Sequence, residues 1–378
     1  MSGDGVAGRG GAAGTRVRSY SKINLGLAIG PARSDGFHGL TTIYQSLALH
    51  DVVTVRAVPA AATRLRLTTN HAGVPTDQRN TCWKMVERAL EKLGVTAAVD
   101  LDIDKRLPVQ GGMGAGSANA AAALLGLEHE LAGWTGRSLQ GAERLELAGQ
   151  VGSDVPLFLL GGAVLGLGRG EQVVPLPDLP RVPCVVAIPE VGVSTPQAFR
   201  DWDARHAEAQ LTSPGLPDRL MRLSLAYASC YAPRASAEHD TSGIVRGLSP
   251  ESGSHDPEKK QGGSGISQTG RANSLAENTL LALVRTGAED GGLQNDFESV
   301  VFPKYPSLRA IKHSLMGAET DGPALYAALS GSGSALFGLY RSMADAEAAQ
   351  RRVQESGVKA LITETLPRAE YWARMFAG

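Results

Sequence analysis

The sequence predicts an α+β protein of two domains, on three observations. The chain has 378 residues, more than one ordinary small domain uses. Hydrophobic residues make up 43% of it, enough for sizeable cores. Segments of strand period and of helix period mix along the chain, but without the regular strand–helix repeat of a doubly wound sheet.

Taken in order, residues 1–15 are rich in glycine and have no apolar run, so they read as a disordered leader. From there Ile23, Leu25, Leu27 and Ile29 alternate at strand period, which puts Lys22, Asn24 and Gly26 together on the opposite face. A turn at Asp35-Gly36 and a strand over Val52–Val58 follow. Thr81–Leu93 carries one apolar stripe at helical spacing, with Asn80 as N-cap and Gly94 just past its end. The alternating run VDLDIDK predicts a strand leading into Leu107-Pro108, and Ser138–Gly149 a further helix. Glycine and proline crowd near 165–180, which divides the chain into domains at 16–170 and 171–378. Val182–Ile188 reads as a buried strand. Pro233–Ser274 is polar and has no aromatic residue, the composition of a mobile insertion. LYAALSGSGSALFGLY reads as strand, glycine turn, strand, and a helix (Met343–Gln354) and a strand (Val358–Leu366) close the chain.

Composition also narrows function. A net charge of -1 argues against a nucleic-acid partner. No segment approaches the roughly 20 apolar residues of a membrane span, and no signal-peptide apolar region is present at the N-terminus. Cys82, Cys184 and Cys230 have no metal-ligand spacing and read as reduced thiols of a cytoplasmic protein. Oligomeric state is not legible.

The most informative stretch is LPVQGGMGAGSANAAAALLGL, four glycines in six positions ahead of a strong helix. A flexible connector rarely needs so many glycines. A dinucleotide fingerprint requires G-x-G-x-x-G, and Gly112-Met113-Gly114-Ala115-Gly116-Ser117 has the wrong spacing. A phosphate cradle explains more: backbone amides freed of Cβ approach phosphate oxygens, and the helix adds about half a positive charge at its N-terminus. Ser117 stands where it could cap that helix, or meet a phosphate or Mg²⁺. No Gly-Lys-Ser/Thr closes the loop, so it is not a Walker A motif and any catalytic lysine must come from elsewhere.

Lys22 with Asn24 makes a polar strand face where a ligand could approach, although a solvated face is the commoner meaning of such a pair. Asp154, ahead of Pro156, reads as an N-cap, and an ionised N-cap carboxylate can also accept a proton from a hydroxyl.

Together, SYSKINLGL with DGFH, LPVQGGMGAGSANAA, GSDVPLFLLGGAVLGLGRGE and SGSGSALFG, in that order, resemble the GHMP kinase superfamily. GVSTPQAF (192–199) and NDFE (295–298) add to the likeness. Within the superfamily the pattern is most similar to the branch that phosphorylates the 2-hydroxyl of a CDP-linked methylerythritol on the non-mevalonate route to isoprenoid precursors. The resemblance implies a ribosomal-S5-domain-2-like N-terminal domain and a ferredoxin-like C-terminal domain, with the site in the cleft between them. It implies ATP and Mg²⁺ and small-molecule substrates. Lys22 and Asp154 would be the catalytic pair with Asn24 beside them. Pro108, Gly111, Gly112, Met113, Gly114, Ala115, Gly116, Ser117 and Ala118 would wrap the ATP phosphates, with Ser117 near Mg²⁺, and Asn80 and Lys105 would lie near the adenine. Phe37 and His38 would meet the cytidine from one side, Pro196 and Phe199 from the other. Gln110, Ala115 and Ala118 depart from the family's usual small residue, glycine and serine. Two further readings fit the same motifs: a GHMP kinase for mevalonate derivatives or homoserine, and a non-catalytic ATP-binding sensor on this fold.

Overall fold

The computed structural model describes residues 14–33, 36–109, 111–206 and 294–377. Residues 1–13 of the expected leader, Asp35, Gln110, Cys230 and the expected insertion at 233–274 lie outside them, whereas Thr15, assigned to that leader, opens the first strand. Two sheets organise the rest. In the first, β1 (Thr15–Ala32) pairs with β2 (His38–Pro59), whose far half pairs with β4 (Ala97–Asp104) and whose near half pairs with β5 (Ala163–Gly168). The edges are β3 (Arg64–Thr69), parallel to β4, and β6 (Gln172–Pro175), antiparallel to β5. The second sheet is antiparallel: β7 (Pro183–Ile188) lies between the chain-late strands β9 (Leu336–Leu339) and β10 (Lys359–Glu364), with β8 (Tyr326–Leu329) outside β9. The first sheet runs past residue 170 because β6 completes a hairpin with β5, and it takes back the last strand, β11 (Phe376–Ala377), beside β1.

Helices cover each sheet. α1 (Thr81–Leu93), α2 (Ala115–Ala132) and α3 (Gly141–Val151) enclose the first core with β1, β2 and β4. α1 is amphipathic, burying Cys82, Met85, Val86, Ala89, Leu90 and Leu93 as its spacing requires. Its caps are those expected: Asn80 Oδ1 accepts from the Cys82 amide at 2.8 Å, and Gly94 is left-handed at φ +61°. α2 is instead buried over most of its circumference, because it lies on β1 and β2 and also against α1. Small alanines permit that approach. α4 (Thr195–His206), α5 (Glu298–Lys304), α6 (Pro306–Met316) and α7 (Met343–Glu355) pack on the second sheet around Trp202, Phe302 and Tyr340. α8 (Arg368–Ala373) precedes β11 and brings Tyr371 into the first core. Among the described residues no helix is long and apolar enough to cross a membrane.

A third apolar cluster joins the two halves. Ile23, Leu25, Ile43 and Leu47 of the first sheet meet Cys184, Val186, Phe337 and Leu339 of the second, with Leu107 and Met113 from the glycine loop. β1 is therefore covered on both faces, and the single alternating face expected from Ile23 to Ile29 is not what forms. The register of β1 against β2 slips between Asn24 and Gly26, leaving Leu25 as an extra residue. This bulge reverses the phase: Ile23 and Leu25 enter the seam, whereas Leu27 and Ile29 enter the second core. Leu27, not Gly26, follows Lys22 and Asn24 along the wall of the central cavity.

Gly126 is the one glycine inside α2's long apolar run, and packing explains it. A Cβ there would lie 2.6 Å from Val55 Cγ2 and 3.4 Å from Val17 Cγ2. Gly126→Ala gains about 1 kcal/mol of helix propensity but overpacks the sheet at a cost of roughly 1–3 kcal/mol. The expected result is a lower urea midpoint than the parent chain; a higher one would mean that α2 can lift off the sheet freely.

Candidate active site

The bulge leaves Lys22 and Asn24 facing β2 residues Thr42 and Tyr44, all four buried. Lys22 Nζ donates to Asn24 Oδ1 at 2.7 Å and lies 3.5 Å from Asp154 Oδ2. Asn24 Nδ2 donates to Thr42 Oγ1 at 2.8 Å, and that hydroxyl donates to the Gly26 carbonyl at 2.8 Å. The Tyr44 hydroxyl donates to Asp154 Oδ1 at 3.0 Å. Burial pushes the Lys22 ammonium below its ordinary pKa, against the opposing pull of Asp154. Burial, and then Asp154, hold the Tyr44 phenol well above its own, so it stays a donor. Asp154 sits in the turn after α3, ahead of a short 3₁₀ turn (Pro156–Leu159) whose N-cap is Val155 with no side-chain bond. The expected N-cap is thus not formed; its carboxylate turns to Lys22 and Tyr44 instead.

The glycine loop lies directly against this pair. Gly112 and Gly114 have φ of +72° and +70°, where a side chain would be strained. A Cβ on Gly112 would lie 1.9 Å from the Ser330 carbonyl oxygen, and one on Gly114 would lie 2.8 Å from the Phe158 ring and 3.2 Å from Lys22 Cε. The loop is stitched on two sides: the Lys22 amide donates to the Met113 carbonyl at 3.0 Å, and Ser330 Oγ donates to the Gly112 carbonyl at 2.9 Å. α2 begins inside the cluster at Ala115, with Gly114 as a cap that has no side chain. Ser117 is therefore its third residue and not its cap, and its hydroxyl has no protein partner among the described residues. The first amides of α2 have no carbonyl one turn back and face outward for an acceptor. Ala118 points into the first core, and Ala115 packs on the seam.

Two cavities meet at Gly112. One, of about 360 Å³, is lined by Pro108, Gly111–Ser117, Asn80 and Lys105. Neither of the last two extends an unengaged side chain into it. Asn80 spends its amide on the α1 cap and on the Pro75 carbonyl. Lys105 Nζ lies 2.6 Å from Asp51 Oδ2. The other cavity, of about 620 Å³, holds Lys22, Asn24 and Asp154 at one end and Phe37, His38, Pro196 and Phe199 at the other. His38 stacks on Phe199 with ring centroids 5.0 Å apart and planes 11° from parallel. Its Nδ1 donates to the Gly30 carbonyl at 3.0 Å, and its Nε2 lies 3.2 Å from Asp203 Oδ1. Phe37 stands at the rim, 49% exposed, with the Arg169 guanidinium 4.8 Å over its ring.

A buried ammonium paired with a half-buried carboxylate, a left-handed glycine loop at a helix N-terminus and a second cavity beyond them are an arrangement that suits phosphoryl transfer between two small molecules. Comparison with known proteins agrees. Residues 80–162 match the GHMP kinases N terminal domain and residues 274–359 the GHMP kinases C terminal model. The 4-diphosphocytidyl-2-C-methyl-D-erythritol kinase of Solibacter usitatus is 34% identical over 330 residues, 86% of this chain and 81% of that protein. The enzyme of the same name from Moorella thermoacetica is 31% identical over 92% of this chain and 98% of its own. This chain belongs to the 4-diphosphocytidyl-2-C-methyl-D-erythritol kinase family of GHMP kinases. Backbone likeness alone would not have separated it from its cousins. A crystal structure of 4-(cytidine 5'-diphospho)-2C-methyl-D-erythritol kinase superposes with a TM-score of 0.60 at 24% identity, covering 93% of this chain and 99% of that one. A homoserine kinase from Cytophaga hutchinsonii also reaches 0.60, at 18% identity, covering 96% and 98%.

Several further residues hold these elements together, and the motifs around Asn295, Thr195 and Ser332 marked their place in the sequence without giving their partners. Asn295, in NDFE, donates through Nδ2 to the Leu329 and Gly331 carbonyls at 2.8 and 2.7 Å. It thereby holds the Ser330–Ser334 turn so close that a Cβ on Gly331 would be 3.6 Å from Lys22 Nζ. Thr195 and Ser332, both lining the larger cavity, share a hydroxyl–hydroxyl bond of 2.6 Å. Asp51, fully buried, meets Lys105 with one oxygen, while its other accepts from the Arg106 and Leu107 amides, both at 2.7 Å, where the loop leaves β4. Asp51→Asn keeps an acceptor for those amides but leaves Lys105 buried without its counter-charge. A loss of roughly 3–5 kcal/mol is expected from the denaturant midpoint, with part of it restored by adding Lys105→Met. An unchanged midpoint would show that the pair contributes nothing.

Proposed function

We propose that this chain transfers the γ-phosphoryl group of ATP to the 2-hydroxyl of 4-diphosphocytidyl-2-C-methyl-D-erythritol, in the cytoplasm, on the non-mevalonate route to isoprenoid precursors. The observation that carries this reading is the Lys22–Asp154 pair, 3.5 Å apart, at the junction of the glycine-lined cavity with the larger one. ATP fits the former, its phosphates against the backbone amides from Gly111 to Ser117; the Ala118 amide, expected to join them, is already spent on the Gly114 carbonyl. The CDP-linked alcohol fits the latter, its cytidine end toward Phe37, His38, Pro196 and Phe199 and its hydroxyl end toward Asp154. His38 already lies on Phe199, so the cytosine would contact this stacked pair as a unit, with Phe37 closing from the rim.

In the transfer, the 2-hydroxyl oxygen bonds to the γ-phosphorus as the bond to the β,γ-bridging oxygen breaks. ADP leaves, and the hydroxyl proton passes to the Asp154 carboxylate. Lys22 holds that carboxylate and offsets charge on the moving phosphoryl group, while Asn24 holds Lys22. Because such transfer needs positioning and charge stabilisation above all, a preorganised pair and a rigid amide cradle suffice. Mg²⁺ fits one further observation. The Ser117 hydroxyl is half-buried, lines the ATP cavity and is unpartnered among the described residues. Those residues contain no cluster of three acidic, histidine or cysteine side chains, so Ser117 would join ligands supplied mainly by the phosphates. Bound there, Mg²⁺ would neutralise phosphate charge.

An ADP-release assay with the CDP-linked alcohol, mevalonate and homoserine tests the reading. Turnover is expected with the first alone. Turnover only with mevalonate or homoserine would replace the proposed substrate, and ATP binding without turnover on any of the three would indicate a sensor. Asp154→Ala should lower kcat by at least about 10²-fold with ATP affinity, from calorimetry, largely kept. Equal loss of both would reduce Asp154 to a structural residue. Phe37→Ala should raise the KM for the CDP-linked alcohol about tenfold with little change in kcat; an unaltered KM removes Phe37 from the site.

A further inference from the structure

We propose that Tyr44 is a positioning residue for the reaction, one that fixes the orientation of the Asp154 carboxylate through its hydroxyl. The inference rests on the role for Asp154 set out above. An aspartate does not orient its own carboxylate, because its terminal torsion is broad and nearly two-fold. Asp154 stands in a turn, with about a third of its side chain exposed, so the backbone does little to restrain it. Two donors do so instead. Lys22 Nζ lies 3.5 Å from Oδ2, and the Tyr44 hydroxyl donates to Oδ1 at 3.0 Å. Each oxygen is thus engaged from a different strand, β1 and β2.

The fold makes specific room for this tyrosine. Tyr44 stands directly opposite Asn24 in the β1–β2 register, so both project into the cavity beside Lys22. The ring lies over β5 at Gly166, where a Cβ would come within 2.5 Å of Tyr44 Cε2. Its hydroxyl passes beside Gly170, where a Cβ would lie 2.5 Å from the phenolic oxygen and 3.8 Å from Asp154 Oδ1. Two glycines therefore accommodate the ring and the oxygen separately. A phenylalanine would fill the same space and leave Oδ1 without its donor. Tyr44 also spans the Lys22 side, with Nζ 5.5 Å from the ring centroid. One side chain thus touches both members of the pair without being needed as an acid or base. It remains protonated, since burial and the neighbouring carboxylate both oppose its ionisation.

Steady-state kinetics on Tyr44→Phe, Asp154→Asn and the double variant, with ATP and the CDP-linked alcohol, test this. Removing the hydroxyl is expected to lower kcat about tenfold, the scale of one hydrogen bond to a charged group, with both KM values within about twofold. In the Asp154→Asn background the same change should cause no further loss of kcat, since the carboxylate it serves is gone. An unchanged kcat in Tyr44→Phe, beside an inactive Asp154→Asn, would overturn the proposal for Tyr44 and leave that for Asp154 standing. A Tyr44→Phe loss that persists undiminished in the double variant would also overturn it, because it would mark a packing role. Near-normal kcat in Asp154→Asn would instead overturn the reading of Asp154, and the role of Tyr44 with it.

Discussion

A buried ammonium organises this molecule. Lys22 is almost wholly removed from water, and a lone charge there would cost several kcal/mol. It is kept by Asn24 and Asp154, and each of those needs partners in turn: Thr42 for Asn24, Tyr44 for Asp154. The chain of dependence runs across β1, β2 and the turn after α3, then to the glycines that leave space for Tyr44. A network in which every member is engaged is rigid, and rigidity is what a positioned phosphoryl transfer asks of a protein.

The same economy of space governs the loop. Gly112 lets the Ser330 carbonyl approach to a distance no side chain would allow, and Gly114 does the same for Phe158 and Lys22. The glycine loop is thereby tied to β1 by a backbone bond and to the β8–β9 turn by a serine. Asn295 fastens that turn from behind. Elements from both halves of the chain converge on one glycine loop, and the apolar seam through Ile23, Leu25 and Met113 keeps the two sheets from sliding past each other. The cavities lie along this seam, and Lys22 and Asp154 stand where they meet.

Much of this was legible in the chain itself. The four glycines before α2, the caps of α1 and the strand–turn–strand near the end come from local rules, because backbone torsion, capping and periodicity act over a few residues, whereas Lys22 and Asp154 became a catalytic pair only through the family resemblance. Those rules also misplace things. A bulge at Leu25 depends on the partner strand, so the face shared by Lys22, Asn24 and Gly26 could not be carried past it. Asp154 looked like an N-cap because its local context suits one; only Lys22 and Tyr44, distant in sequence, draw its carboxylate elsewhere. Asn80 and Lys105 do line the glycine cavity, but their polar atoms are taken by neighbours no spacing rule identifies.

What the sequence by itself determined is the set of parts: an α+β chain, a glycine loop opening a helix, a lysine strand, a carboxylate turn and a family resemblance dense enough to name the chemistry. What only the tertiary structure decided is who meets whom. Tyr44 and Asp51 carry no local signal, since a tyrosine on a buried strand or an acid beside one reads as packing or solvation, and the NDFE motif marks Asn295 without naming its partners. They acquire their partners only when strand register and helix docking set the distances, and hydrogen bonds and ion pairs act only over those few ångströms.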